Sequence, residues 1–325
     1  MRIRGHQLPD FANTQMTIET LPAVTLIAPG RDLSGLHSAL RARGVERVSV
    51  WPDIENGDAQ LAVLWNQPAN ALSQLPQLRA VMSLGAGVDF ILADPSIDAD
   101  LPVARIAGGP MAERMAGFLL ATVLSDCRNL SKYAQDQKSR RWQPESDNAE
   151  PHIGFLGAGA TARPAMRHFS QLGFKVTAWS RRRHRISGVT SVTGQDGLAE
   201  VASCDYLICL LPATKQTEMI LGQDLFELTA ENTTLIHVGR GQQLDADALI
   251  MALNSQRLRM ACVDVFETEP LPRNHPLWQH GRVAITPHIS ALTPPDMAAA
   301  AIHDALIALA NDRPIQNTVD RQLGY

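Results

Sequence analysis

The feature that most constrains the fold is the segment that runs from residue 152 to residue 185. It contains an apolar run (152–156), a glycine-containing turn (157–162), an amphipathic run (163–172), Gly173 and a second apolar run (174–179). A parallel βαβ unit needs a strand, a turn, a helix and a second strand in this order. The segment therefore predicts the first unit of a parallel sheet, and we place the rest of the chain relative to it.

The turn between the first strand and the helix has the glycine spacing of a dinucleotide-binding site. Gly157 permits a tight turn out of the strand, and Gly159 lets backbone amides approach a pyrophosphate at the helix N-terminus. Ala162 stands at the third glycine position, and its small side chain still allows close packing of helix on strand. An ordinary tight turn is the alternative, which the strand, helix and second strand in register disfavour.

The residues after the second strand indicate which dinucleotide binds. NAD sites usually carry an acidic residue there, which accepts hydrogen bonds from the adenosine ribose. This chain instead has Ser180 followed by Arg181, Arg182 and Arg183. Guanidinium groups can bind a 2′-phosphate that a carboxylate would repel. We therefore expect NADPH to be preferred, with NADH possible, and assign Arg183 and Arg185 to a solvated basic turn.

Composition restricts the class of protein. With 325 residues, 45% hydrophobic and 19% charged, the chain can form two domains with substantial cores. A net charge of −4 gives no reason to expect nucleic acid or an anionic membrane as partner. No metal site is predicted, because the cysteines are scattered and resemble buried apolar residues. We expect residues 1–20 to be a disordered extension without a signal peptide and the protein to be cytoplasmic.

Apolar strands alternate with helical segments along most of the chain, which predicts parallel α/β sheets. The part before residue 105 is flavodoxin-like in outline. Residues 111–140 have the length and apolar spacing of one long helix that crosses between domains. This segment has more apolar positions than one domain face needs, so we predict a homodimer with the helix in its interface. Trp142 follows the helix and is placed to reach the partner subunit.

Three polar residues directly follow three apolar strands. They are Arg240, Glu269 and His288, and parallel strands would bring all three to one edge of the sheet. Hydride transfer to a 2-oxo acid needs a cation for the carboxylate and a proton donor for the carbonyl oxygen. A carboxylate next to an imidazolium favours its protonated form and orients the ring. A surface arginine, a solvated glutamate and a structural histidine are the alternatives.

The motifs that contain these residues resemble those of a known family. Gly157-Ala-Gly159, Val238-Gly-Arg240-Gly, Asp264-Val-Phe-Glu-Thr-Glu269-Pro-Leu-Pro and Thr286-Pro-His288-Ile-Ser resemble the signatures of the D-isomer-specific 2-hydroxyacid dehydrogenases. Leu84-Gly-Ala-Gly-Val-Asp89, Pro276-Leu-Trp278-Gln-His and Val319-Asp-Arg-Gln-Leu-Gly-Tyr325 resemble the bacterial glyoxylate/hydroxypyruvate reductase A branch. One departure is His237, which stands where the family more usually has Asn.

The resemblance implies two doubly wound parallel-sheet domains, in which a Rossmann dinucleotide-binding domain (105–286) is inserted into a flavodoxin-like substrate domain (21–104 and 287–325). It implies that His288 is the acid/base, that Glu269 is its partner and that Arg240 binds substrate. The other expected substrate-binding residues are Trp65, Gly85, Ala86 and Gly87. The expected cofactor-binding residues are Gly157, Gly159, Ala160, Thr161, Ser180, Arg181, Arg182, Pro212, Thr217, Val238, Gly239, Asp264, His288 and Ser290, with Asp264 near the carboxamide of the nicotinamide.

The implied activity is NADPH-dependent reduction of small 2-oxo acids, with glyoxylate and hydroxypyruvate favoured. Two alternatives stay open. One is a reductase of a bulkier 2-oxo acid, because the sequence does not give the volume of the pocket. The other is a nucleotide-sensing binding protein, because the same family fold also serves as a transcriptional corepressor.

Overall fold

The computed structural model describes residues 21–54, 57–145 and 150–324. The expectation of disorder for residues 1–20 falls outside these ranges. Within them the chain forms two parallel β-sheets, and apolar side chains pack on both faces of each sheet. Strands that are buried on both faces explain why the sequence shows continuous apolar runs rather than alternation. The prediction of two doubly wound sheets is confirmed.

The first sheet contains β1 (Val24–Ile27), β2 (Val48–Val50), β3 (Leu61–Leu64), β4 (Ala80–Ser83) and β5 (Val103–Arg105). Its order is β2-β1-β3-β4-β5, and every neighbouring pair is parallel. This is the flavodoxin-like order, in which the chain turns back between β1 and β3. The last residue of β5, Arg105, lies one position beyond the domain boundary expected from the resemblance.

The second sheet contains β6 (His152–Leu156), β7 (Lys175–Trp179), β8 (Thr190–Val192), β9 (Tyr206–Cys209), β10 (Thr233–His237), β11 (Leu258–Val263) and β12 (Val283–Ile285). Its order is β12-β11-β10-β9-β6-β7-β8, again parallel throughout. The strand order reverses at β6 and β9, the position at which this fold binds dinucleotides. The glycine turn predicted from the sequence follows β6 directly.

The helices that cover the sheets are α1 (Ser34–Ala42), α2 (Asp89–Leu92), α3 (Gly109–Cys127), α4 (Leu130–Lys138), α5 (Arg163–Gln171), α6 (Gly194–Ala202), α7 (Gln223–Glu227), α8 (Ala246–Asn254) and α9 (Pro295–Ala310). Helix α9 shares an apolar core with α1 and the first sheet. Helices α3 and α5 share a core with the second sheet. The segment at the end of the chain therefore returns to pack on the sheet that the start of the chain forms.

The prediction of one long helix over residues 111–140 is wrong. Helix α3 ends at Cys127, and α4 begins at Leu130. Between them Asn129 adopts the left-handed conformation, with a φ of 56°. Asn is one of the few residues other than Gly that tolerate this conformation, so it can end a helix and redirect the chain. The apolar spacing continues across the break and conceals it in the sequence.

All four cysteines are buried, as the sequence predicts. Burial raises the pKa of the Cys204 and Cys209 thiols to about 12. Thiols with such a pKa stay protonated and unreactive at neutral pH. Among the described residues, no helix combines the length and the apolar character that a membrane-spanning segment requires.

Candidate active site

A cavity of about 440 Å³ lies where the carboxyl ends of the strands of both sheets face each other. The predicted site residues line it, with the exception of Glu269 and Asp264, which lie behind the loop that carries His288. The lining residues from the first sheet are Trp65, Gly85, Ala86 and Gly87. Those from the second are Gly157, Gly159, Ala160, Thr161, Ser180, Arg181, Arg182, Pro212, Thr217, Val238, Gly239, Arg240, His288 and Ser290.

The glycine turn after β6 is shaped to accept a phosphate group. Gly157 has a φ of +105°, and a Cβ on it would lie 2.7 Å from the carbonyl oxygen of Leu210. Only glycine fits there without strain. Gly159 is exposed, and a Cβ on it would have no other atom within 4 Å. Open space at Gly159, next to the N-terminal end of α5, fits the close approach of a dinucleotide pyrophosphate.

The end of the cavity that the residues after β7 line is basic. Arg181 and Arg182 are exposed and line it, and the Ser180 hydroxyl donates a hydrogen bond to the carbonyl of Arg182 (2.7 Å). Two residues that the sequence analysis did not single out, Arg163 and His184, add to this end. Arg163 Nη2 and His184 Nδ1 are 3.2 Å apart, and both side chains line the cavity.

The loop after β9 forms the opposite wall of the nucleotide end. The Thr217 hydroxyl donates to the carbonyl of Pro212 (2.7 Å) and accepts from the amide of Thr214 (2.9 Å). The buried Gln243 amide donates to the Pro212 carbonyl as well (3.0 Å). These bonds hold the loop in one conformation, so Pro212 and Thr217 present a fixed surface to the cavity.

Arg240 lies after β10, where it joins the two halves of the site. Its Nε lies 3.1 Å from Oδ1 of Asp89, at the start of α2. A Cβ on Gly87 would lie 1.6 Å from Arg240 Nη2, so the guanidinium crosses directly over this glycine. The Arg240 backbone amide donates to Oε1 of Gln243 (2.8 Å). The cation is therefore fixed against the 85–87 loop, where a substrate carboxylate would meet both.

His237 is a structural residue beneath Arg240. It is fully buried, and its Nε2 donates to the carbonyl of Arg240 (3.0 Å). Burial lowers the pKa of His237 to about 4, because the charged ring would lose its hydration and lies near the Arg240 cation. The imidazole is therefore neutral at physiological pH and supports the backbone of Arg240 rather than exchanging protons.

His288 and Glu269, which the sequence predicts to be an acid–base pair at two strand ends, lie in hydrogen-bond contact. His288 Nδ1 and Glu269 Oε2 are 2.7 Å apart, and Glu269 Oε1 accepts from the amide of Phe266 (2.9 Å). Burial alone would raise the pKa of the Glu269 carboxyl. The hydrogen bonds from His288 and Phe266 and the charges of His288 and Arg240 outweigh burial and hold that pKa below its ordinary value. Glu269 therefore stays ionised beside the imidazole at neutral pH.

Asp264 holds the loop on which His288 lies. Its fully buried carboxylate accepts from the Thr286 hydroxyl (2.5 Å) and from the amides of Ile289 and Ser290 (both 2.9 Å). The amide of His288 donates to the Asp264 carbonyl (2.9 Å). His288 has a φ of 53°, which a non-glycine residue keeps only when its surroundings enforce it. Direct contact of Asp264 with a cofactor stays a prediction.

Trp65 connects the substrate end of the cavity to the acid–base pair. Its ring meets the ring of His288 edge to face, with centroids 6.0 Å apart. A Cβ on Gly85 would lie 2.9 Å from Trp65 Cζ3, so the indole packs directly on this glycine. Ser83 shapes the loop from below, because its hydroxyl donates to the carbonyl of Gly87 (2.6 Å). The loop after β4 and Trp65 thus form one rigid wall.

Three charged residues at this end were missed by the sequence analysis: Arg31, Asp89 and Arg105. Asp89 belongs to a motif that the resemblance singled out, but no role followed from it. Arg31 and Arg105 lie at or just beyond the ends of β1 and β5. The rule that selected Arg240, which favours charged residues at the carboxyl ends of parallel strands, would have selected both.

The sheet order, the glycine turn and the cavity define an α/β protein of the dinucleotide-binding class. Comparison with protein families agrees, since the model described as D-isomer specific 2-hydroxyacid dehydrogenase, NAD binding domain, matches residues 120–290. A glyoxylate/hydroxypyruvate reductase A from Yersinia enterocolitica is 36% identical over 305 residues, which cover 90% of this chain and 95% of that protein. The chain belongs to the D-isomer specific 2-hydroxyacid dehydrogenase family, as its motifs predicted.

Solved structures show the same relationship. One is a D-isomer specific 2-hydroxyacid dehydrogenase from Xanthobacter autotrophicus Py2, solved in complex with NADPH and MES. It superposes with a TM-score of 0.87 at 29% identity, and the superposition covers 94% of this chain and 100% of that chain. An NADPH-dependent glyoxylate/hydroxypyruvate reductase from Sinorhizobium meliloti, in complex with NADP and sulfate, has a TM-score of 0.87 at 27% identity, with 93% and 100% covered.

Proposed function

We propose that the chain is an NADPH-dependent reductase of small 2-oxo acids, with glyoxylate and hydroxypyruvate as favoured substrates. The observation that carries this proposal is the position of His288. It is paired with Glu269 and faces the same cavity as Arg240 and the glycine turn. A proton donor, a fixed cation and a dinucleotide turn in one cavity are what reduction of a 2-oxo acid requires. The names of the relatives in Yersinia enterocolitica and Sinorhizobium meliloti support the choice of substrate.

Each residue has a distinct part in the proposed reaction. Arg240 and the backbone of Ala86 and Gly87 bind the substrate carboxylate and orient the carbonyl. The glycine turn and the basic end of the cavity would hold NADPH, which would supply the hydride for the carbonyl carbon and be oxidised to NADP⁺. His288 gives its proton to the carbonyl oxygen as negative charge develops there, so the product is the 2-hydroxy acid. Glu269 stays ionised and keeps the imidazole oriented.

The proposed cofactor preference depends on the basic end of the cavity. Arg181 and Arg182 occupy the position at which an acidic residue would select NAD. We assign the 2′-phosphate to these guanidinium groups, with Ser180 beside them. Arg163 and His184 extend the same basic surface.

We also propose the division of the chain into domains. Residues 21–104 and 287–325 would form the substrate domain, and residues 105–286 the dinucleotide domain. The shared core of α9 and α1 supports this division. If it is correct, the active site lies in the cleft between the domains.

The same proposal includes a homodimer with α3 and α4 in its interface. Leu130 and Trp142 are large apolar residues with 55% and 98% of their surface exposed. Apolar surface of this kind favours a partner subunit. Light scattering at micromolar concentration should give about twice the formula mass, and a monomer would contradict the dimer without affecting the proposed chemistry.

The proposed function is tested by NADPH oxidation with glyoxylate, hydroxypyruvate and larger 2-oxo acids. The His288→Ala variant should lower the rate at every pH by roughly 10²–10⁴, the usual share of a general acid. A protein that binds NADPH but reduces none of these acids would be a nucleotide-sensing protein instead. Preference for the largest acids would favour the alternative of a bulkier substrate.

A further inference from the structure

Arg31 lies at the substrate end of the cavity, and the proposed reaction does not use it. It follows β1 and stacks on Trp65, with its guanidinium carbon 3.8 Å from the centroid of the indole ring. Its backbone amide donates to the carbonyl of Ala28, but within the described ranges its guanidinium has neither a hydrogen-bond nor an ion-pair partner. Burial lowers the pKa of Arg31 and attraction to Glu269 raises it, and an arginine remains charged under either influence.

The other two arginines at this end are already engaged. Arg240 pairs with Asp89 and lies across Gly87. Arg105 Nη1 donates to the carbonyl of Ala86 (3.2 Å), which holds the carboxylate-binding loop in place. Among the described residues, Arg31 is therefore held by the indole ring of Trp65 and by attraction to Glu269, and no hydrogen bond engages its guanidinium N–H groups, which are available to a ligand.

The geometry of the reaction directs one part of the substrate toward Arg31. A 2-oxo acid has three groups around its reactive carbon: the carboxylate, the carbonyl oxygen and a substituent. The carboxylate is directed to Arg240 and the 85–87 loop, and the carbonyl oxygen is directed to His288. Trp65 lies beside His288, at 6.0 Å between ring centroids, and Arg31 lies on the indole. The substituent is left to face the wall that Trp65 and Arg31 form.

We propose that Arg31 binds a second anionic group on the substrate, so that 2-oxo dicarboxylic acids are favoured over matched monocarboxylic acids. This inference rests on the proposed function and extends its substrate class beyond glyoxylate and hydroxypyruvate, which each carry a single carboxylate. A guanidinium can bind a carboxylate through two parallel hydrogen bonds. The indole beneath Arg31 restricts its motion and reduces the entropy lost when the carboxylate binds.

The experiment compares two pairs of substrates, glyoxylate with oxomalonate and pyruvate with oxaloacetate. Within each pair a hydrogen atom is replaced by a carboxylate. The ratio of kcat/KM for the dicarboxylate to kcat/KM for the monocarboxylate is measured with NADPH for wild type, Arg31→Met, Arg31→Lys and Arg43→Met. The control, Arg43, is an exposed arginine at the end of α1, whose guanidinium donates a hydrogen bond to the carbonyl of Asp296.

For at least one pair, the ratio should fall about tenfold to a hundredfold in Arg31→Met, the share of a charge-assisted hydrogen bond. It should be largely kept in Arg31→Lys and unchanged in Arg43→Met. If Arg31 merely supports Trp65, its loss would weaken both members of a pair alike and leave the ratio where it was. A ratio in Arg31→Met within about twofold of wild type for both pairs would overturn the inference.

Direct binding separates this inference from the proposed function. Calorimetric titration of the protein with NADP bound compares tartronate, the reduced form of oxomalonate, with glycolate. Tighter binding of tartronate in wild type, lost in Arg31→Met, supports Arg31 as an anion site even if no substrate is reduced. Equal affinities of wild type for the two acids would reject it even if glyoxylate is reduced rapidly.

Discussion

Replacing Glu269 by Gln should move the pH dependence of reduction to lower pH. In the proposed reaction His288 gives its proton to the substrate, so the rate should fall at high pH. Glu269 Oε2 accepts a hydrogen bond from Nδ1 of the protonated ring at 2.7 Å. A Gln can keep the bond from the Phe266 amide, but its NH₂ group would then face Nδ1 and favour the neutral ring. The cations Arg31 and Arg240, which both interact electrostatically with Glu269, would remain and disfavour the ring proton further.

The size of the shift follows from the exposure of the pair. A hydrogen bond to a charged group contributes about 1.5–3 kcal/mol. Since the side chains of His288 and Glu269 are 30% and 36% exposed, water screens their attraction and the lower value applies. About 1.4 kcal/mol corresponds to roughly one pH unit. We therefore expect the alkaline fall to occur about one unit lower in the variant, with the rate at low pH largely retained.

The assay is kcat/KM for glyoxylate across the pH range, because this quantity reports the groups of the enzyme before substrate binds. Glu267→Gln is the matched control, since Glu267 is an exposed carboxylate on the same loop. An unshifted profile in Glu269→Gln would show that the pair does not govern the proton. An equal shift in Glu267→Gln would show that the general charge of the loop is responsible.

Two further predictions concern the cofactor and the carboxylate site. Arg181→Ala should weaken NADPH binding by about 1.5–3 kcal/mol and leave NADH binding nearly unchanged, whereas Arg183→Ala should affect the binding of neither cofactor. Fluorescence titration with both cofactors checks this. Equal losses of NADPH and NADH affinity in Arg181→Ala would refute the assignment. Gly87→Ala should lower kcat/KM for glyoxylate at least roughly tenfold, because the new methyl group displaces the guanidinium of Arg240. Gly281→Ala, where a Cβ meets no other atom within 4 Å, should match wild type in the same assay.

Most strands were predictable because they are apolar runs that end close to a glycine, proline or charged residue. Parallel strands buried on both faces produce this pattern, and the two sheets contain them in the expected order. The break at Asn129 was not predictable from apolar spacing. A single left-handed residue changes the direction of a helix without changing which neighbouring residues are apolar.

The position of the acid–base pair was predictable, but the support beneath it was not. Glu269 and His288 follow neighbouring strands, so the parallel order brings them together. Asp264 also follows a strand, and the resemblance implies a place for it near the cofactor, but not its bonds to the loop that carries His288. Whether a side chain at a strand end faces the cavity or the protein interior depends on the path of the adjacent loop. That path is set by hydrogen bonds between residues far apart in sequence.

His288 is fixed in two independent ways, and these would serve different needs of the proton donor that we propose it to be. Asp264 holds the backbone, because its carboxylate and carbonyl accept bonds from the loop on both sides of the histidine. Glu269 holds the ring through Nδ1, so Nε2 is the ring nitrogen that could give a proton to a substrate. Asp264 is buried, so the backbone position that it fixes does not respond to solvent. Glu269 is partly exposed, so it couples the protonation of the ring to charge in the cavity. A proton donor that must approach a substrate and still change its protonation state needs both a fixed backbone and an oriented ring. Asp264 supplies the first and Glu269 the second, and neither residue can replace the other.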